Sequence, residues 1–99
     1  MATDHEVDEG FYDRADAVIN LANAQCDAVG RGKVSASTLF GAARFNAWIT
    51  ASSYPSAAAM QDDRADAVDY FVHEYRAMFE QHFDDYVANF ARYMTPSAK

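Results

Sequence analysis

Apolar and small side chains recur three and four residues apart in the first third of the chain, at Phe11, Ala15, Val18, Ala22, Cys26 and Val29. This spacing places them on one face of a helix. Asp8 is suited to cap its beginning, since an Asp carboxylate accepts hydrogen bonds from free backbone N–H groups. Gly30 and Gly32 follow the stripe, where a left-handed cap ends many helices. The pattern predicts a first helix near residues 9–29.

A second apolar segment follows, with Leu39, Phe40, Ala43, Ala47, Trp48 and Ile49. Ser35 or Ser37 can cap its beginning. Pro55, in the run SSYPS, ends it, because a proline disfavours helical backbone in the residue before it. The pattern predicts a second helix near residues 36–52.

The longest stripe lies in the last third of the chain, where Ser56 can cap a third helix. At about 100° per residue, large apolar side chains and one histidine fall within an arc of roughly 140°: Val68, Phe71, Tyr75, Met78, Phe79, His82, Phe83, Tyr86, Phe90 and Tyr93. We call five of these the aromatic stripe: Phe79, Phe83, Tyr86, Phe90 and Tyr93. A continuous helix over 57–94 would be about 55 Å long, about twice the length of the other two.

Two shorter helices cannot cover so long a stripe. Either the third helix breaks near residues 60–66, where Asp62 or Asp63 could cap a new start, or its far end is covered by something else. An uncovered aromatic patch normally marks an interface, and self-association is the simplest cover. We therefore expect a homodimer through the aromatic stripe, with a kinked monomer as the open alternative.

The hexapeptide DRADAV occurs twice, at residues 13–18 and 63–68. The identity ends there, since INLANAQ follows one copy and DYFVHEY the other. A duplicated unit would keep its apolar stripe in register beyond six residues. Both copies lie near predicted helix beginnings, where Asp suits the helix dipole. The repeat is interpreted as shared helix-start chemistry.

Length and composition favour an all-α fold. Ninety-nine residues suffice for one domain, and only four are glycine and two proline, in a chain that is 51% apolar. No segment alternates apolar and polar residues as a strand would. We predict a single domain over 1–99, built as a three-helix up-down-up bundle, with disorder at 1–7 and 95–99.

Charge and cysteine content narrow the class of protein. The net charge is −7, from 15 acidic and 8 basic residues. Neither half is basic, so nucleic acid is not expected as a partner. The apolar run 39–49 contains Arg44 and Asn46 and is too short to cross a bilayer. A single cysteine excludes an intramolecular disulfide, and the acidic N-terminus is unlike a signal peptide. We expect a soluble bacterial cytoplasmic protein.

No constellation of residues predicts catalysis, a metal or a cofactor. The histidines are His5, His73 and His82, and no HExxH motif or Glu-x-x-His pair occurs. Cys26 lies on an apolar helix face, which predicts a buried, unreactive thiol. Serines lie at predicted caps and turns, and GxSxG is absent. The sequence therefore favours a non-enzymatic interaction or structural module.

An alternative reading is a protein that binds a small polar ligand or an anion. Arg31 and Lys33 lie in the segment GRGKVSAST, before a predicted helix N-terminus, where free N–H groups favour an anion. Asn23, Arg44 and Asn46 are polar residues in predicted helix centres, where Asn is unfavourable. They could line a polar site between the first two helices, or form an interhelical hydrogen-bond network.

Three phrases carry a family resemblance: RAD followed by LAN at residues 14–16 and 21–23, AARFNA at 42–47, and DDY at 84–86. In this order the chain resembles the small proteobacterial family known as domain of unknown function 3144, from about Phe11 to Phe90. The resemblance implies an all-helical bacterial protein. It implies no activity, because the family has none assigned.

Overall fold

A computed structural model of the chain describes residues 7–95. The described residues form five helices: α1 (Phe11–Val29), α2 (Arg31–Ala51), α3 (Ala57–Asp62), α4 (Arg64–Ala88) and α5 (Phe90–Met94). They contain no strand, so the all-α prediction is confirmed. The expected disorder at 1–7 and 95–99 falls, apart from Val7 and Thr95, outside the described residues, as does His5.

α1 begins two residues later than predicted, and its N-cap is Gly10 rather than Asp8. Asp8 instead holds the turn before the helix: its carboxylate accepts the Gly10 N–H at 2.9 Å and the Arg14 guanidinium at 2.9 and 3.1 Å. The hydrogen bond from Arg14 lowers the pKa of Asp8. Both side chains are exposed, so this ion pair contributes little to stability.

Gly30 is the single residue between α1 and α2, and its backbone has φ 95° and ψ 153°. This region is essentially restricted to glycine, because a Cβ would clash with the backbone. The predicted stop at Gly30 is confirmed, but it is not left-handed helical, since ψ is extended. Gly32 lies inside α2.

α2 begins at Arg31, about five residues earlier than predicted, so Ser35 and Ser37 do not cap it. The Ser37 hydroxyl donates back to the carbonyls of Lys33 and Val34. The Gly30 N–H donates to the Cys26 carbonyl at 2.8 Å, and the Gly30 carbonyl accepts the Val34 N–H at 3.3 Å. The interval left between the two predicted helices, residues 30–35, is therefore a single residue, Gly30. The end at Ala51, before SSYPS, agrees with the prediction.

The predicted third helix is broken twice. Ser56 caps α3 by accepting the Ala59 N–H at 3.1 Å. The first break comes at Asp63, which occupies the N-cap position of α4. This agrees with the alternative in which the third helix breaks near residues 60–66. The second break, at Asn89, was not predicted. Both DRADAV copies lie at helix beginnings, in α1 and at the start of α4.

The described residues divide into two compact units, of which the first ends at Met60 and the second begins at Gln61. In the first, α1 and α2 pack as an antiparallel hairpin, since residues late in α1 face residues early in α2. In the second, α5 packs on α4. The up-down-up order of three helices, and their organisation as one domain, stay predictions.

Little of the described chain is buried. Val34, beside the Gly30 junction, is 3% exposed, and Thr50 is 7% exposed. The Thr50 hydroxyl donates to the Asn46 carbonyl at 2.8 Å, so this buried polar group is satisfied within its own helix. Cys26, expected to be buried, is half-buried. Most large apolar side chains of both units are exposed.

Substitution of Gly30 by Ala should destabilise the α1–α2 hairpin by about 1–3 kcal/mol, because an L residue is strained at this backbone conformation. Open space around its Cβ position means that the cost comes from the backbone and not from a clash. The matched control is Gly32→Ala, at a helical position with equally open space, which should be neutral or stabilise by up to about 1 kcal/mol. Urea unfolding followed by circular dichroism measures both; equal effects would contradict the strain.

Candidate functional site

The aromatic stripe forms an exposed surface on α4 and α5. Its five side chains are between 43% and 64% exposed. Side chains of this size normally dominate cores and interfaces. The stripe is therefore the largest candidate for a binding surface in the second unit.

The rings are arranged as a ladder along α4. Tyr75 stacks on Phe79 with centroids 5.8 Å apart, and Phe79 lies 5.9 Å from Phe83. Each step is four residues, which brings side chains together on one helix face. The ladder preorganises the surface, because the rings restrict one another before any partner binds. His82, predicted at a core or interface, is exposed beside it.

Asp85 anchors α5 to the end of α4. Its carboxylate accepts the Asn89 side-chain amide at 2.8 Å and the Tyr93 hydroxyl at 2.9 Å. Tyr93 also meets Tyr86 edge to face, with centroids 4.8 Å apart. Beyond the break at Asn89, Tyr93 thus joins the stripe through its contact with Tyr86. Sequence reasoning missed this role for Asp85; the eight-residue distance to Tyr93 exceeds the spacing of helix pairs.

This anchor changes the acidity of Tyr93. The hydrogen bond to Asp85, and then the negative charge of that carboxylate, raise the pKa of Tyr93 above its ordinary value of 10.0. Both causes act against the phenolate form. The hydrogen bond therefore stabilises the docked α5 below pH 10 and is lost as the pH rises through the raised pKa.

A second apolar surface lies in the first unit, in a groove between α1 and α2 of about 450 Å³. We call it the α1–α2 groove. Its walls are mostly apolar and small: Val18, Leu21, Ala22, Gly41, Ala42 and Phe45. Gln25, Ser37, Thr38 and Asn46 add polar atoms at its edges. Gly41 lines the groove without a side chain, and the space around its Cβ position is open.

The five candidate ligand-binding residues do not converge. Asn46 lines the α1–α2 groove, whereas Arg44, about 200° away around the helix, lies over the Phe40 ring at 4.9 Å. Arg31 and Lys33 are likewise two positions apart, in the first turn of α2. Asn23 is exposed on α1 and does not line the groove. The predicted polar site between the helices stays a prediction.

Charge is segregated between α2 and the second unit. Residues 28–61, which include α2, contain Arg31, Lys33 and Arg44 and no acidic residue. Residues 61–95 contain eight acidic and three basic residues. The net charges of the two halves of the sequence do not show this asymmetry, because the acidic residues before Asp27 offset the cations of α2. The helix boundaries reveal it.

Other site classes gain no support from the geometry. Within residues 7–95, no three His, Cys, Asp or Glu side chains come together in an arrangement suited to a metal. Over the same residues, no helix has both the length and the apolar character that a bilayer span requires.

Comparison with known proteins confirms the family resemblance. The profile of the family described as protein of unknown function (DUF3144) matches residues 11–87. Among solved structures, the chain is similar to the NMR structure of the protein NB7890A from Shewanella sp, with 35% identity and a TM-score of 0.73. The match covers 88% of this chain and 93% of that one. Among curated proteins there is no match.

Replacement of Asp85 by Asn should lower the pKa of Tyr93 toward its ordinary value, because the carboxylate charge that opposes the phenolate is removed. The control is Asp84→Asn, which removes a neighbouring carboxylate that does not contact Tyr93. NMR titration of the Tyr93 ring signals between pH 8 and 12 follows both. An unchanged Tyr93 titration in the Asp85 variant would contradict the anchor.

Proposed function

The chain belongs to the family described as protein of unknown function (DUF3144), and we propose that it acts as a non-enzymatic interaction module that self-associates through the aromatic stripe. The observation that carries this proposal is the exposure of the stripe. Phe79, Phe83 and Phe90 are each more than half exposed. Exposed aromatic rings of this number favour a partner, because burying them removes apolar surface from water.

The non-enzymatic part of the proposal rests on the residue chemistry. The sequence motifs supply neither an acid–base pair nor an activated nucleophile. The anion-binding alternative has less support than self-association, because Lys33 and Arg44 lie on one side of α2, whereas Asn46 lies on another side, which lines the groove. The single Cys26, with no intramolecular disulfide to form, supports a proposed site of action in the bacterial cytoplasm.

Light scattering across a concentration series should give the mass of a dimer for the wild-type chain. Replacement of Phe83 by Asp should shift the dimer to monomer and raise the dissociation constant at least about 100-fold, because a buried central ring is exchanged for a charge. Circular dichroism should show helicity largely retained, since Phe83 is 57% exposed in the single chain.

The matched control is Tyr12→Asp, which changes an aromatic residue of similar exposure, 64%, on α1. Tyr12 lies on the side of α1 away from the groove, so the dimer should persist. A wild-type chain that is monomeric at every concentration would overturn the proposal. Equal effects of the two substitutions would remove the stripe as the interface.

A further inference from the structure

The stripe and the α1–α2 groove are two exposed apolar surfaces on one chain. The stripe lies mostly on the acidic α4, whereas α2, one wall of the groove, carries three cations and no acidic residue. We propose that, in the dimer, the aromatic stripe of each copy seats in the α1–α2 groove of the other copy. This inference rests on the proposed self-association and names the surface that receives the stripe. Two such contacts, related by a two-fold axis, close the assembly at two copies.

The charges of the helices favour the groove of the second copy, rather than its stripe, as the surface that receives the stripe. α4 has six acidic and two basic residues, so two α4 helices packed on each other would bring like charges together. Like-charge contacts at an interface are strongly unfavourable. α2 offers three cations and no acid. Its contact with α4, whose six acidic residues outnumber Arg64 and Arg76, is therefore attractive on balance.

The positions of the charges also match. Lys33 and Arg44 are eleven residues apart on α2, which returns them to the same side of the helix about 16 Å apart. Asp69 and Glu80 have the same separation on α4. Each pair lies roughly 80–120° around its helix from Phe45 of the groove or Phe79 of the stripe. Two ion pairs can thus form beside the apolar contact, the one to Glu80 in exchange for its exposed pair with Arg76, whose atoms lie 3.5 Å apart.

The groove suits aromatic side chains by its shape and composition. Its volume of about 450 Å³ is bounded by small or apolar residues, including Ala22, Gly41 and Ala42. Small residues on neighbouring helices leave room for large side chains from a partner, as in ridge and groove packing. The ladder of rings on α4 supplies such side chains at intervals of four residues.

Charge exchange between two variants tests the arrangement. The first variant is Lys33→Glu with Arg44→Glu, and the second is Asp69→Lys with Glu80→Lys. All four residues are exposed, so each variant should keep its helicity by circular dichroism. In either variant alone, like charges meet at both contacts, and the dissociation constant should rise roughly tenfold or more. Mixed at equal concentration, the two should form a heterodimer of near wild-type affinity, with complementary charges at both contacts.

The outcomes separate the two proposals. A monomeric wild-type chain overturns self-association itself. If the wild-type chain is a dimer, the α2 variant dimerises normally and mixing restores nothing, only the groove is overturned as the partner. That result is expected if α4 packs on α4. Loss in both variants with rescue on mixing supports the exchange.

A neutral substitution gives a second measurement. Gly41→Leu places a side chain in the open space of the groove and improves helix propensity over glycine. It should weaken the wild-type dimer at least tenfold while the helicity is kept or raised, so lost association cannot be attributed to unfolding. Gly32→Leu, on the same helix but outside the groove, is the control. Unchanged dimerisation in the Gly41 variant would overturn the inference.

Discussion

Burial of apolar surface is the constraint on which the structure depends. The helices carry large apolar side chains on their faces, yet among residues 7–95 only Val34 is a buried hydrophobic residue. A chain of this size has little core from which to offset the conformational entropy lost on folding. In the proposed dimer, covering the stripe and the groove would add to the stability of the folded state, as in homodimers whose monomers are not stable alone.

Three short junctions determine which apolar surfaces are presented. Gly30 reverses the chain with a backbone conformation that only glycine adopts readily, and this brings Ala22 against Gly41 to form the groove. Asp63 begins α4 afresh, and Asn89 ends it. Asp85 then secures α5 through Tyr93. Local hydrogen bonds at these junctions determine which side chains are presented, and the surfaces that those side chains form are apolar.

In the proposed dimer, charge supplies the specificity. Apolar contacts alone would allow the stripe to meet another stripe as readily as a groove, because hydrophobic burial has no direction. The cations of α2 and the acids of α4 would distinguish the two partners, since complementary charges favour one pairing and like charges oppose the other. Residues 7–60 have a low net charge, and residues 61–95 are acidic. This difference bears on the choice of partner surface only when the charged residues are assigned to their helices.

Periodicity by itself determined the helical class and the stripe, and Pro55 the end of α2, because each depends on neighbours a few residues apart. A break near Asp63 was one of the two alternatives that the length of the stripe left open. The sequence could not reveal the early start of α2 or the break at Asn89, where Gly30 and Asp85 act through geometry that residue type alone does not specify. Only the tertiary structure decided that Asn46 lines a groove while Arg44 lies over Phe40. Their positions depend on which face of α2 meets α1, and packing across the hairpin determines that.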